Sequence, residues 1–420
     1  MAKIKQIRAR QILSGKGEPT IETTVILSDG RFGIASVPSA GAGGNYEAVE
    51  LRDKDSEVFQ GRGVLKAIAN ITDIIAPALL DMDATKQQEI DKKMIELDGT
   101  SNKARLGANA ILSVSIAVCK AAAQSSTLPL FLYLREYIKK ENLVLKTPAP
   151  IFNLLNGNKE DGADFKDFSV FTASSKNYSD SLIIISRVYE SLKETLRTNG
   201  LSTLVSDKGG FSPKVSSNEY ALGLIKQGVE TANLRLGFDL FTGVDVCANN
   251  FYKDGKYKIK DKASTLSSSE LSLYYQEICK NYNVLYLEDP FADEDLEGWS
   301  QFASNFSADT LVVGDNLTAT NLYRLQMALD KKAITGMVIK PLQIGTVIES
   351  LAAVEVARAA GLKIIVSSRS HETNDDFIAD FAVAVSSDYT RFGSIARGEM
   401  VSKYNRLSDI EKQLKSLEVK

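Results

Sequence analysis

Five residues in the second half of the chain join chemical reactivity to regular spacing. Asp245, Glu288, Asp315, Lys340 and Arg369 each close a short β-branched or aliphatic run: TGVDV, VLYLEDP, TLVVGDN, GMVIK and LKIIVSSRS. Their intervals of 43, 27, 25 and 29 residues approach the roughly 30 residues of one strand-plus-helix unit. In a (β/α) barrel the carboxyl ends of the strands share one mouth and carry the chemistry. Three carboxylates, a lysine and an arginine would meet there, a set that suits a metal ion, a base and an anion.

The elements needed to hold them are legible along the chain. Its 420 residues leave room for a barrel of about 250 residues and a smaller partner. Residues 3 to about 60 alternate apolar and polar positions, with turn signals at Gly15-Lys16-Gly17, Asp29-Gly30 and Ser39–Gly44, and predict an antiparallel meander. Helical periods follow over Val64–Leu80, Ala84–Leu97 and Ala108–Ala123, the last apolar enough to be a buried helix. The charged stretch Arg135–Lys146 and the breaker Thr147-Pro148-Ala149-Pro150 mark a boundary, giving an N-terminal α+β domain over 1–135 and a barrel domain over 136–420. Candidate barrel strands are PIFNLL, FSVFTA, STLVS, TGVDV, VLYLE, TLVVG, GMVIK and KIIVS, separated in places by amphipathic helices such as Glu219–Ala232 and Leu322–Lys331.

Composition narrows the function classes. The chain is 44% hydrophobic and 25% charged with a formal net charge of −3, which gives no electrostatic case for nucleic acid or an anionic membrane. The N-terminal MAKIKQIRARQIL lacks the apolar core of a signal peptide, and no run of 18 apolar residues occurs; the expectation is a cytoplasmic protein without membrane insertion. Cys119, Cys247 and Cys279 are too scattered for a disulfide framework or zinc knuckle and read as reduced core residues.

Stretches across nearly the whole chain resemble the enolase family: GEPTIE, YEAVELRD, LDGTSNKARLGANAILSVSIAVCKAAA, FYKDGKY, LEDP, VVGDNL, IKPLQIG, SSRSHETNDDFIADFAVA and SKYNRL. The resemblance implies an N-terminal α+β domain, an eight-stranded αβ barrel of the enolase type, Mg²⁺ dependence and reversible dehydration of 2-phosphoglycerate to phosphoenolpyruvate in glycolysis. It also implies a homodimer or an octamer built as a tetramer of dimers, and a possible surface or secreted moonlighting pool beside the cytoplasmic one. Carried over by motif, Asp245, Glu288 and Asp315 correspond to the metal ligands, and hard carboxylate oxygens without His or Cys are the donors Mg²⁺ prefers. Glu288 and Asp315 also border the substrate. Lys340 corresponds to the base that takes the proton α to the substrate carboxylate, as a lysine or histidine does across the enolase superfamily. Arg369 and Ser370 correspond to the phosphate-binding pair, a guanidinium fork beside a neutral donor.

The chain departs from the family pattern on the facing wall. Where the family has GDEGG, with its glutamate assisting loss of the C3 hydroxyl, this sequence reads Ser206-Asp207-Lys208-Gly209-Gly210. The family's NGGEHA…QEF becomes Asn156–Phe168, which loses the active-site histidine and places Lys166 and Asp167 where Gln-Glu would stand. The only histidine is His371, at a family glycine. The SGAST loop aligns with Ser39–Gly43, so Ala42 replaces the serine expected at a second metal. Ser368 replaces a histidine, Leu342 an asparagine, and Arg391 the lysine of KTGS, beside substrate. An ammonium at Lys208 near Lys340 should lower the pKa of one or both lysines, which would let Lys340 act as base and Lys208 as acid, with Asp167 and Lys166 beside them. Two functions are compatible with these changes: an enolase-type lyase, or an enolase-fold paralogue without dehydratase activity that binds ligands, moonlights, or acts on a related acid sugar phosphate.

Overall fold

The computed structural model describes residues 2–41, 43–139, 144–157 and 162–418. The chain opens with an antiparallel sheet of order β1-β2-β3, formed by β1 (Ile4–Leu13), β2 (Pro19–Leu27) and β3 (Phe32–Ser36). Period-two alternation aims one face of β2 inward, onto the helix Ala108–Ser125, of which 15 residues are buried. The neighbouring β3 comes closest to the same helix at Gly33, where a Cβ would lie 2.2 Å from the Ala117 carbonyl oxygen. The meander stops at Ser36, well short of residue 60. Beyond it the backbone bonds to barrel loops instead of to a fourth strand: Ser39 N–H donates to the His371 carbonyl at 3.0 Å and Ala48 N–H to that of Gln343 at 2.7 Å.

Eight strands close the barrel: β4 (Ala149–Asn156), β5 (Asp167–Thr172), β6 (Leu240–Asp245), β7 (Val284–Glu288), β8 (Leu311–Gly314), β9 (Gly336–Ile339), β10 (Lys363–Ser367) and β11 (Tyr389–Arg391). They follow one another in order around the wall, with β11 returning to β4. Only β5 runs against its neighbours. STLVS is not a barrel strand; within it Val205 makes an isolated bridge to Phe211, in a loop that rises between the helices Tyr178–Thr198 and Asn218–Thr231. The place assigned to it belongs to β11, whose three residues carry no apolar run that a pattern could detect.

The barrel interior is layered by the two-residue period of its strands. Ile151, Tyr286, Val313, Val338 and Ile365 form a buried cluster of their own, with Tyr389 packed against it. Two residues further on stand Glu288 above Tyr286, Asp315 above Val313, Lys340 above Val338 and Arg391 above Tyr389. An apolar plug thus supports a charged layer, and the pleat alone sets their order.

The N-terminal elements are tied to the barrel by buried polar contacts. Lys120 pairs with Asp375 at 2.8 Å, Lys103 with Glu349 at 2.6 Å, and Arg135 donates to the Ala384 carbonyl at 3.0 Å. Asp91, on the helix Gln87–Asp98, accepts from the Ile348 N–H at 3.1 Å and from Gln87 Nε2 at 2.9 Å. Burial outweighs these bonds and pushes the Asp91 carboxyl up to about 7 from 3.8. Between those values the native protein holds a proton that the unfolded chain has lost, so stability falls as pH rises through the window and levels off above about 7. Asp91→Asn removes the titration. Urea unfolding of both proteins from acidic to alkaline pH should show D91N gaining on wild type by about 2–4 kcal/mol across this window; parallel curves would refute the shift.

Candidate active site

The antiparallel course of β5 puts its first residue at the barrel mouth, where Asp167 is paired in register with Asp245, the last residue of β6. Asp245 is in turn level with Glu288 at the end of β7. Asp315 and Lys340 lie one residue beyond β8 and β9, Arg369 two beyond β10, and Arg391 ends β11. These positions line or underlie a cavity of about 390 Å³ to which Lys166, Lys208, Ser370 and His371 also contribute. Every site residue expected from sequence is therefore at one mouth, including Lys166, Asp167 and Lys208 on the altered wall. Ala42 and residues 158–161 lie outside the described residues.

The charged side chains are paired internally. Lys340 Nζ bonds Asp315 Oδ2, and Lys208 Nζ bonds Asp167 Oδ2. Lys166 Nζ sits 3.1 Å from Asp245 Oδ2. Arg391 crosses the mouth: Nη1 is 3.0 Å from Asp245 and 3.2 Å from Asp167, while Nη2 is 2.5 Å from Glu288 and 3.8 Å from Asp315. Tyr286 donates its hydroxyl to the other oxygen of Glu288.

Burial and these charges set the protonation tendencies. Burial raises Asp245 and Asp315, yet Lys166 and Arg391 beside Asp245, and Lys340 beside Asp315, win and hold both well below the carboxylate range. Glu288 goes the other way, burial outweighing Arg391. Lys208 is lowered by burial, Asp167 opposing; the cations pressing on it are Lys166 and Arg391, not Lys340 as the sequence suggested.

Two residues that motif reasoning did not single out shape the site. Asp289 accepts from the N–H groups of Asp315 and Asn316, both at 2.9 Å, bracing the loop that presents Asp315; burial, then Asp315 and Asp245, push its carboxyl up to about 8. Its only signal was adjacency to Glu288. Glu47, within YEAVELRD, receives the Arg369 fork at 3.0 and 2.8 Å, so a carboxylate from the N-terminal region holds the arginine expected to take phosphate. Arg369 also reaches the Ala40 carbonyl at 3.3 Å. Beside it, Gly41 has φ +67° and a Cβ there would lie 2.9 Å from the His371 ring, so the loop passes this close only as glycine.

An eight-stranded αβ barrel with its charged side chains gathered at one mouth and a small α+β domain beside that mouth defines a protein of the TIM-barrel class. Residues 144–419 match the enolase C-terminal TIM barrel domain and residues 4–134 the enolase N-terminal domain. The chain belongs to the enolase family. Among the described residues, no helix is long and apolar enough to cross a membrane.

Family membership raises the question of Mg²⁺, and the side chains present do not fit it. Octahedral Mg²⁺ needs oxygens converging at about 2.0–2.1 Å. Among the described residues no three metal-ligating side chains gather in that way. One oxygen of each of Asp245, Glu288 and Asp315 is paired with a tethered cation instead; the second oxygens of Glu288 and Asp315 accept from Tyr286 and Gln343, and Asp245 Oδ1 has no hydrogen-bond partner among the described residues.

His371 offers a direct reading of this electrostatic map. Its Nδ1 is 2.8 Å from Glu18 Oε2, but burial prevails over Glu18 and lowers its pKa below 6.5. Because it is the only histidine, one imidazole resonance reports it by NMR. The midpoint should fall below 6.5 and drop further in Glu18→Gln; a midpoint above that value would contradict the assignment.

Proposed function

We propose that the chain is an enolase-type lyase that interconverts a 2-phosphoglycerate-like acid and its enol phosphate in the cavity at the barrel mouth. The observation that carries this reading is that Lys340 and Lys208 line the same cavity from different walls, each with one carboxylate to share its proton, Asp315 and Asp167. Substrate phosphate would compete with Glu47 for the Arg369 fork, with Ser370 beside it, and Lys166 and Arg391 would face the substrate carboxylate. Lys340 Nζ takes the α-proton as the C–H bond breaks. The C3–O bond then breaks and the leaving hydroxide takes a proton from Lys208 Nζ, giving enol phosphate and water. Burial, which lowers Lys208, makes its ammonium the stronger acid.

One observation favours a second reading, a paralogue that binds such acids without dehydrating them. Both lysines are held as ion pairs, and a base must be neutral to accept a proton.

Phosphoenolpyruvate formation from 2-phosphoglycerate, followed by ultraviolet absorbance, tests the first reading. Wild type should turn over, and Lys340→Ala and Lys208→Ala should each lose about 10²–10⁴-fold. Retained binding of phosphoenolpyruvate without any turnover in wild type would replace the lyase with the binding protein.

A further inference from the structure

Four buried carboxylates at the mouth, Asp167, Asp245, Glu288 and Asp315, face four cationic side chains, Arg391, Lys166, Lys208 and Lys340. Fully ionised, these eight side chains sum to zero without any added ion. A divalent cation there would leave two uncompensated positive charges in a desolvated site, or would have to expel one of the tethered ones.

Arg391 is the group in its way. Starting from β11, it reaches side chains presented by β5, β6 and β7 and comes within 3.8 Å of the one beyond β8. Its contacts at 2.5 to 3.2 Å are hydrogen-bond lengths, those of a planar fork divided among several acceptors. A lysine there would end in one point charge. Moreover, guanidinium does not deprotonate in proteins, so raising the pH does not remove its charge.

We propose that the Arg391 guanidinium takes the place of a divalent cation at these carboxylates, and that this member of the family binds phosphorylated acids without Mg²⁺. Lys166 and Lys340 complete the compensation at Asp245 and Asp315. Among the described residues the Nε–H of Arg391 has no hydrogen-bond partner, while its other nitrogens hold the acids. The ligand half of this proposal rests on the reading of the cavity given above; the cation half does not.

Electron paramagnetic resonance of Mn²⁺ added to the full-length chain tests the cation half. Wild type should leave Mn²⁺ free, and Arg391→Gln, which strips the acids of their shared cation, should bind it at least roughly 10-fold more tightly. Equal Mn²⁺ binding by the two proteins overturns the proposal, as does a folded R391Q that gains none. If R391Q does not fold, Arg391→Lys replaces it, with a smaller gain expected because the charge remains and the fork does not. Calorimetry with phosphoenolpyruvate tests the ligand half: wild type should bind it as tightly in excess EDTA as in millimolar MgCl₂, and binding seen only with Mg²⁺ overturns the proposal. Absence of binding in both buffers would sink the phosphorylated-acid reading, while the Mn²⁺ contrast would still decide for or against the guanidinium.

Discussion

Compensation of buried negative charge at the barrel mouth is the constraint on which the rest of the structure turns. Asp167, Asp245 and Glu288 stand side by side in register on three adjacent strands, and such a row would be driven apart or protonated without a counter-charge. Arg391 supplies it from β11, on the other side of β4. Leaving one member of such a buried set unpaired typically costs about 3–5 kcal/mol. The same contacts therefore join fold to function: they link β11, the last barrel strand, to β5, β6 and β7, and they fix the electrostatic character of the cavity.

The apolar layer beneath makes this arrangement possible. Tyr286 serves both, packing with Val313, Val338 and Ile365 below and donating its hydroxyl upward to Glu288. Gly243 in β6 fits the same logic, because a Cβ there would lie 3.3 Å from the Tyr286 ring. A floor of this kind lets side chains two residues apart on a strand belong to different chemical worlds. Over the mouth, Glu47 and the Gly41 segment add a wall from the N-terminal region, so the site is shared between the two family-matched parts of the chain.

Much of this was legible before any coordinates. The strand ends Asp245, Glu288, Asp315, Lys340 and Arg369 could be read because short apolar runs before charged residues are local patterns, and the same holds for the buried helix Ala108–Ser125. What escaped had no local signature. The reversal of β5 depends on a hairpin with β4, and nothing in FSVFTA encodes strand direction. Tyr389–Arg391 is too short and too polar to register as a strand, although its placement decides where the guanidinium reaches. The fork of Arg369 on Glu47 spans 322 residues, and the preference of Arg391 for carboxylates over an open substrate position comes from three other strands. Motif comparison marked position 391 as altered without indicating what the alteration touches.

Lys208 holds a different kind of place from the other charged groups at the mouth. It stands on a loop closed by the Val205–Phe211 bridge and hung from β4 through Leu155 and Phe211, with Tyr189 holding the Gly209 carbonyl at 2.9 Å. The strand-end residues are bound into the barrel's ladder, where a change of side chain also tests the register of two neighbouring strands. Position 208 is held by loop backbone instead, its carbonyl accepting from the Ser394 N–H at 2.8 Å, so the sign of the charge it brings to the mouth is set by a residue on which no strand register depends.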